Sequence, residues 1–317
     1  MIEIEHLSHI YSGEIKALDD LSFKVERGEV IGLLGPNGAG KSTCVKMITG
    51  ALKPTAGSVR VSNYEVSENL RAVRRLIGVM PQETALYRDL TAQETLEYHA
   101  DIYGVPKEER DDRIAEMLEL AGLTARKDDL VKTYSGGMKR RLALVRALLH
   151  KSELLILDEM SLGVDVQSRA LIWQQVKLLK KQGKTVLFCT NYMDEADELA
   201  DRLVVIDRGK LMAEGSPRSL KQAHVGNYII EVELEGLTEG QGESWISEQV
   251  GLQVDKVTEY KEMHSRTARI WSVEGYKDLP LVIRVLSERG IVVKQASMRA
   301  PSLGDVFLTI TGSKLRD

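Results

Sequence analysis

Long apolar runs are missing from this 317-residue sequence. A helix that crosses a bilayer needs about 20 consecutive apolar residues, whereas the stretch 142–149 is short and broken by Arg146. Any membrane role is therefore expected to come through a partner. Cysteine is scarce. Cys44 and Cys189 lie far apart and have neither the spacing of a metal site nor that of a disulfide framework, which fits a reduced, cytosolic setting. An excess of basic charge is absent too: 43 Lys and Arg stand against 47 Asp and Glu, a net charge of −4. That leaves no electrostatic footprint for nucleic acid. The start, Met1-Ile2-Glu3-Ile4-Glu5, alternates apolar and acidic residues instead of running basic then apolar as a secretory signal does. What remains is ordinary for a globular protein, with 43% hydrophobic and 28% charged residues, and a length that suggests two domains.

The most informative stretch is 30–48. The apolar run Val30-Ile31-Gly32-Leu33-Leu34 feeds Gly35, Pro36, Asn37, Gly38, Ala39, Gly40, Lys41, Ser42 and Thr43, and a helical pattern follows. The order strand, G-x-x-x-x-G-K-S, helix is that of a phosphate-binding loop. Small residues let successive backbone N–H groups point at an anion. The helix adds its positive end. Lys41 supplies a mobile cation for β- and γ-phosphates, and Ser42 a hydroxyl for Mg²⁺. A nucleoside triphosphate is the expected ligand. Cys44 falls in the first helical turn, where a helix start could lower a thiol pKa; a small packing residue is the plainer reading.

Around that loop the chain alternates strands and helices. Strands are expected at 2–7 and 21–25, joined by a turn and short link at 11–18 that carries Tyr11. Tyr11 reads equally well as a strand aromatic and as a stacking platform for a base. A short apolar strand, 77–80, ends at Pro81-Gln82. Ligands gather beyond the carboxyl ends of such strands, which puts Gln82 within reach of a metal or phosphate. Helices at 90–103 and 107–121 form a charged insertion that opens with a Thr91/Glu94 capping box. Ser135-Gly136-Gly137 starts a helix at 139–149, a second anion-binding helix start. The apolar run 153–157 ends in Asp158-Glu159. Asp158 is suited to hold Mg²⁺ through water, and Glu159 to orient and deprotonate an attacking water. Asp165 precedes an amphipathic helix at 166–181, and the strand 184–189 ends in Thr190-Asn191. A helix at 192–200 and a hairpin around Asp207-Arg208-Gly209 close this part. From about 226 the order of elements is βαββαβ, which suggests a small ferredoxin-like unit; His264 stands alone in it.

Taken together, Tyr11, 35–43, Gln82, Ser135-Gly136-Gly137, 154–159, Asp165 and Thr190-Asn191 resemble the motif set of the ATP-binding subunits of ABC transporters, in family order and spacing across about 1–220. Tyr134-Ser135-Gly136-Gly137-Met138 and the ending Pro301-Ser302-Leu303-Gly304-Asp305-Val306-Phe307-Leu308 resemble the branch that pairs with type-2 exporter permeases. The resemblance implies an α/β phosphate-loop NTPase core at 1–220: a mixed sheet with helices, an antiparallel β subdomain and a helical insertion at about 90–150. A small α+β accessory domain at 226–317 follows.

It implies Tyr11 stacked on adenine, the loop 37–43 cradling phosphates, Ser42 and Gln82 on Mg²⁺ with Asp158 holding a metal-bound water, and Glu159 as general base. It implies that Ser135 and Gly137, with the segment around Asp165, complete the ATP site of a second copy in a head-to-tail dimer. It also implies a membrane permease docked near Gln82 and the insertion, and a cytoplasmic place on the inner face of the membrane. The chain departs from the family at three points. Glu159-Met160-Ser161 replaces Glu-Pro-Thr, Met138 replaces Gln, and Asn191 replaces the switch histidine. Asparagine can donate a hydrogen bond but cannot carry a proton, so hydrolysis is expected to survive on Glu159 at a lower rate. Two other readings stand beside transport. A repair ATPase would need a long coiled coil between Gln82 and Ser135, where the segment is too short, and a translation factor would need a second phosphate loop. A regulatory module without turnover is kept open by Asn191 and opposed by Glu159.

Overall fold

A computed structural model describes residues 1–12, 14–238, 240–260 and 265–311, so His264 lies outside the described residues. The chain divides into two compact units, 1–216 and 217–314.

The first unit holds two sheets. One is antiparallel in the order β2-β1-β4-β5, built from β1 (Ile2–Tyr11), β2 (Ile15–Val25), β4 (Ala56–Val61) and β5 (Tyr64–Glu65). The other is mixed, in the order β10-β9-β3-β8-β7-β6. Its strands are β3 (Val30–Leu34), β6 (Ile77–Met80), β7 (Leu154–Asp158), β8 (Thr185–Thr190), β9 (Arg202–Asp207) and β10 (Lys210–Gly215). All but β10 run parallel. Strands β3, β7 and β8 are buried along their whole length, which is why they read as unbroken apolar runs. Alternate side chains serve opposite faces: Leu155, Leu157, Val186 and Phe188 enter one core, and Leu154, Ile156, Leu187 and Cys189 the other.

The second core is closed by α1 (Lys41–Ile48), with α2 (Leu70–Leu76) at its edge through Val73. The first core is closed by the insertion helices α3 (Ala92–Tyr103) and α4 (Lys107–Ala121), with α5 (Gly136–Leu148), α6 (Val166–Lys181) and α7 (Met193–Leu199). The Thr91/Glu94 capping box opens α3.

The expected link at 11–18 is instead the tip of a long hairpin, with Tyr11 paired to Ile15. Register shifts between Ile4 and Ile10, with His6 and Asp20 at φ 50° and 59°, break the apolar alternation and hide the strand ends. The β9–β10 turn, Arg208-Gly209, has φ 49° and 78°. Two positive values in a two-residue loop match strand twist.

In the second unit, α8 (Pro217–His224) precedes β11 (Tyr228–Glu235), α9 (Glu243–Val250), β12 (Val254–Tyr260), β13 (Ser265–Ser272), α10 (Gly275–Glu288), β14 (Val292–Arg299) and α11 (Leu303–Thr311). The sheet order β12-β13-β11-β14, antiparallel throughout, is that of a ferredoxin-like fold. Ile230, Val232, Leu234, Ala268 and Ile270 form its core with Ile246, Val282 and Leu286.

Candidate functional site

Parallel strands end together. The loop after β3 starts at Gly35, Gln82 lies two residues beyond β6, Glu159 follows β7 and Asn191 follows β8. Four groups far apart in sequence thus meet at one edge of the mixed sheet. Gly40 makes the tight entry into α1, at φ +105°, and a Cβ there would lie 2.5 Å from the Ala17 carbonyl oxygen. No side chain caps α1 and its first turn holds no acid, so its leading N–H groups stay available for an anion. Lys41 is buried at 4% exposure. Its Nζ donates to the carbonyls of Gly35 at 2.7 Å and Pro36 at 3.0 Å. Burial pulls its pKa below the ordinary lysine value.

An open cleft of about 380 Å³ lies over this loop, lined by Tyr11, Lys16, Asn37 to Thr43, Gln82 and Glu159 among others. That volume suits a nucleotide. Tyr11 sits at the end of β1, its hydroxyl 3.3 Å from Thr43 Oγ1 and its ring edge-on to His9 at 4.5 Å. Gln82 Nε2 donates to Glu159 Oε2 at 2.7 Å, which leaves the Gln82 carbonyl oxygen for another partner. Glu159 has φ +50°, a left-handed backbone that a non-glycine residue adopts only when its surroundings impose it. Its N–H donates to the Cys189 carbonyl at 3.0 Å.

Asp158 lies below, buried at 6% exposure with Oδ1 unpaired. Burial raises its pKa, while a Ser42 hydrogen bond and the Lys41 charge oppose the rise. Asn191 Oδ1 is likewise buried without a partner. Ser42 Oγ, the Gln82 carbonyl and the orphaned Asp158 oxygen are hard oxygen donors. Such a sparse set fits Mg²⁺, which keeps several waters and shares phosphate oxygens.

Ser135, Gly136, Gly137 and Asp165 do not line the cleft. They form a second cluster. Ser135 is exposed and accepts from Met138 N at 3.2 Å, capping α5. Asp165 accepts from Ser168 N at 2.9 Å, capping α6. That hydrogen bond, before any other, holds its carboxyl below the usual range. Gly137 abuts Ser168, and Arg140 Nη2 donates to the Leu162 carbonyl at 3.3 Å. Two helix starts thus stand side by side, with their own loop folded against them.

Cys44 is fully buried and its thiol is pushed up to about 12 by that burial, so the helix start does not activate it. Sequence reasoning passed over Lys16 and Glu195. Glu195 is wholly buried among the acids of α7. Its sequence signal was the neighbouring pair Ala196 and Leu199, which places it on the apolar face of that helix.

The family model described as ABC transporter matches residues 18–161. The linearmycin resistance ATP-binding protein of Bacillus subtilis is 37% identical over 320 residues, covering 100% of both chains. This chain belongs to the ATP-binding subunits of ABC transporters. A daunorubicin resistance ATP-binding protein of Streptomyces coeruleorubidus is 38% identical over 305 residues, covering 96% of this chain and 94% of that one. Among solved structures, the ATP-binding cassette MJ0796, a dimer bound to ADP and Pi in a post-hydrolysis state, matches with TM-score 0.63 and 29% identity over 68% of this chain and 98% of that one. The chain is thus an ABC ATPase, an ATP-binding and ATP-hydrolysing phosphate-loop protein.

Proposed function

We propose that this ABC ATPase drives an exporter, and that its ATP sites are completed only between two copies of itself. The observation that carries the second part is the separation of the two anion-binding helix starts. The cleft holds Lys41, Ser42, Gln82 and Glu159, whereas Ser135, Gly137 and Asp165 stand together outside it. A head-to-tail pair would bring the second cluster of one copy over the cleft of the other. ATP then stabilises the closed pair, because it contacts both chains only there.

In this reading Tyr11 stacks on adenine, and the backbone of 37–43 with Lys41 holds the phosphates. Ser42 and Gln82 would hold Mg²⁺, with Asp158 reaching it through a water. When bound there, the cation neutralises charge on the β- and γ-phosphates. Glu159 takes the proton of the attacking water. Its contact with Gln82 couples the base to the metal-side residue that leads into the insertion. Asn191 donates a hydrogen bond toward the γ-phosphate and carries no proton.

Among the described residues no helix is long and apolar enough to cross a membrane. The transport step therefore falls to an integral membrane permease docked near Gln82 and α3–α4, with this subunit on the cytoplasmic face. Relatives named for drug resistance, and for Nod factor export in Sinorhizobium fredii, support the outward direction. The region from about 226, within the second compact unit, serves as the accessory domain. Steady-state ATPase turnover, with Glu159→Gln as control, tests the chemistry; a control as active as the parent would overturn the role of Glu159. Co-purification from membranes with a multispanning protein tests the partnership, and a chain that leaves no such partner enriched would overturn transport.

A further inference from the structure

Glu195 does not line the ATP cleft, yet it is the most completely buried acid of the first unit, at 0% exposure. Its Oε1 accepts from the Ser161 hydroxyl and from Trp173 Nε1, the latter at 3.0 Å. Its Oε2 is buried with no partner. Buried carboxylates are costly, and one that serves only two neutral donors is an expensive way to hold a core together.

The three segments it joins, its own included, are not arbitrary. Ser161 lies two residues beyond Glu159, Glu195 stands in the first turn of α7 just after Asn191, and Trp173 belongs to the helix that Asp165 caps. A closed ring results. At one side Glu159 N–H is fixed to the Cys189 carbonyl at 3.0 Å. At the other, Ser161 is fixed to Glu195. Asn191 lies on the stretch of chain between Cys189 and Glu195, with Tyr192 N held by Thr190 Oγ1 at 3.0 Å. The positions of Glu159 and Asn191 relative to one another are therefore set by two hydrogen-bonded ties, of which Glu195 makes one. Glu159 needs such a brace because its backbone is left-handed and would relax if the loop were free.

We propose that Glu195 is a positioning residue of the hydrolytic site, bracing the Glu159 loop against the Asn191 segment and, through Trp173, the middle of α6. The proposal rests on the reading of Glu159 as general base. The brace works through geometry. A carbonyl oxygen can accept the same two donors as a carboxylate, so glutamine replaces Glu195 and alanine does not.

The test is ATPase kinetics of the full chain. Glu195→Ala is expected to lower kcat by about tenfold or more, the scale of a misplaced reacting group, with KM within about twofold because Glu195 does not line the ATP cleft. Glu195→Gln restores kcat to near the parent value. Ser161→Ala lowers kcat less, and Ser161→Ala with Glu195→Ala is no slower than Glu195→Ala alone, as expected for residues that act through one contact. If Glu195→Ala does not fold, Glu195→Gln and Ser161→Ala carry the test: Ser161→Ala must lower kcat at unchanged KM. A folded Glu195→Ala with parental kcat overturns the brace, as does a Glu195→Gln as slow as Glu195→Ala or a Ser161→Ala with parental kcat. Glu159→Gln is measured alongside. Turnover retained there overturns the role of the base; turnover lost there while both Glu195 variants stay parental overturns only the brace.

Discussion

Gly137 offers a perturbation whose size can be worked out beforehand. A Cβ built on it falls 2.1 Å from Ser168 Oγ and 2.4 Å from Ser168 Cβ, where ordinary contact begins near 3.4 Å. The hydroxyl can rotate away, but the Ser168 Cβ cannot. Gly137→Ala must therefore push the start of α5 from the start of α6 by about 1 Å. Overpacking of this kind costs ~1–3 kcal/mol, against up to ~1 kcal/mol returned by alanine in a helix. Taken at the middle of both ranges, the net loss is ~1.5 kcal/mol, which lowers the apparent Tm by ~3–6 °C in a unit of this size. Ser168→Gly in the same chain removes both clashing atoms, so a double-mutant cycle should show a favourable coupling of ~1–2 kcal/mol. Differential scanning fluorimetry reads the stability, and ATP titration with turnover reads the site. ATP affinity of the single chain stays parental, since Gly137 is outside the cleft, while turnover falls. A Tm within about 1 °C of the parent, or no rescue by Ser168→Gly, would refute the packing argument. ATP affinity falling in step with turnover would refute the separation of the two clusters.

Asn191→His is expected to raise kcat several-fold, by supplying a protonatable donor beside the phosphate; an unchanged rate in a steady-state assay would tell against a role for this position. In the second unit, Asp305 accepts from both Arg299 terminal nitrogens, at 2.8 and 2.9 Å, and from Ser302 N at 2.8 Å. Burial works to raise its pKa, but the Arg299 and Ser302 hydrogen bonds hold it well below the usual carboxylate range. Its stabilisation is therefore present above the unfolded aspartate value near 4 and lost as the pH falls toward the folded value. Asp305→Asn should cost about 2 kcal/mol at pH 7, reduced because Arg299 is partly exposed, and the deficit should shrink below about pH 4. Urea titrations followed by Trp245 and Trp271 emission check this. Both cysteines are buried, so a thiol reagent should leave the native chain unlabelled and modify both after unfolding; native labelling would contradict the burial.

How much was legible beforehand differs from element to element, for physical reasons. Strands β3, β7 and β8 and helices α4 and α6 stood out because each keeps one period from end to end between clear stops. The β1–β2 hairpin did not, because its register shifts and left-handed residues interrupt that period. In the site, local chemistry was readable: a glycine-rich loop before a helix, two acids at a strand end, a serine before two glycines. What spacing along the chain does not carry is which of these share a cleft. The Gln82–Glu159 contact spans 77 residues, and only the common carboxyl edge of the parallel strands makes it. The exclusion of Ser135 and Gly137 from that edge follows from the same topology. Glu195 was concealed by company, one buried acid in a helix whose other acids face water.

If one chain carries two halves of different ATP sites, ATP must bring two copies together. Sedimentation velocity of Glu159→Gln, with and without magnesium ATP, tests it most directly. Glu159→Gln is expected to be a monomer that becomes a dimer with ATP, and to form no dimer when Gly137→Ala is added. A chain that saturates with ATP and stays monomeric would contradict it.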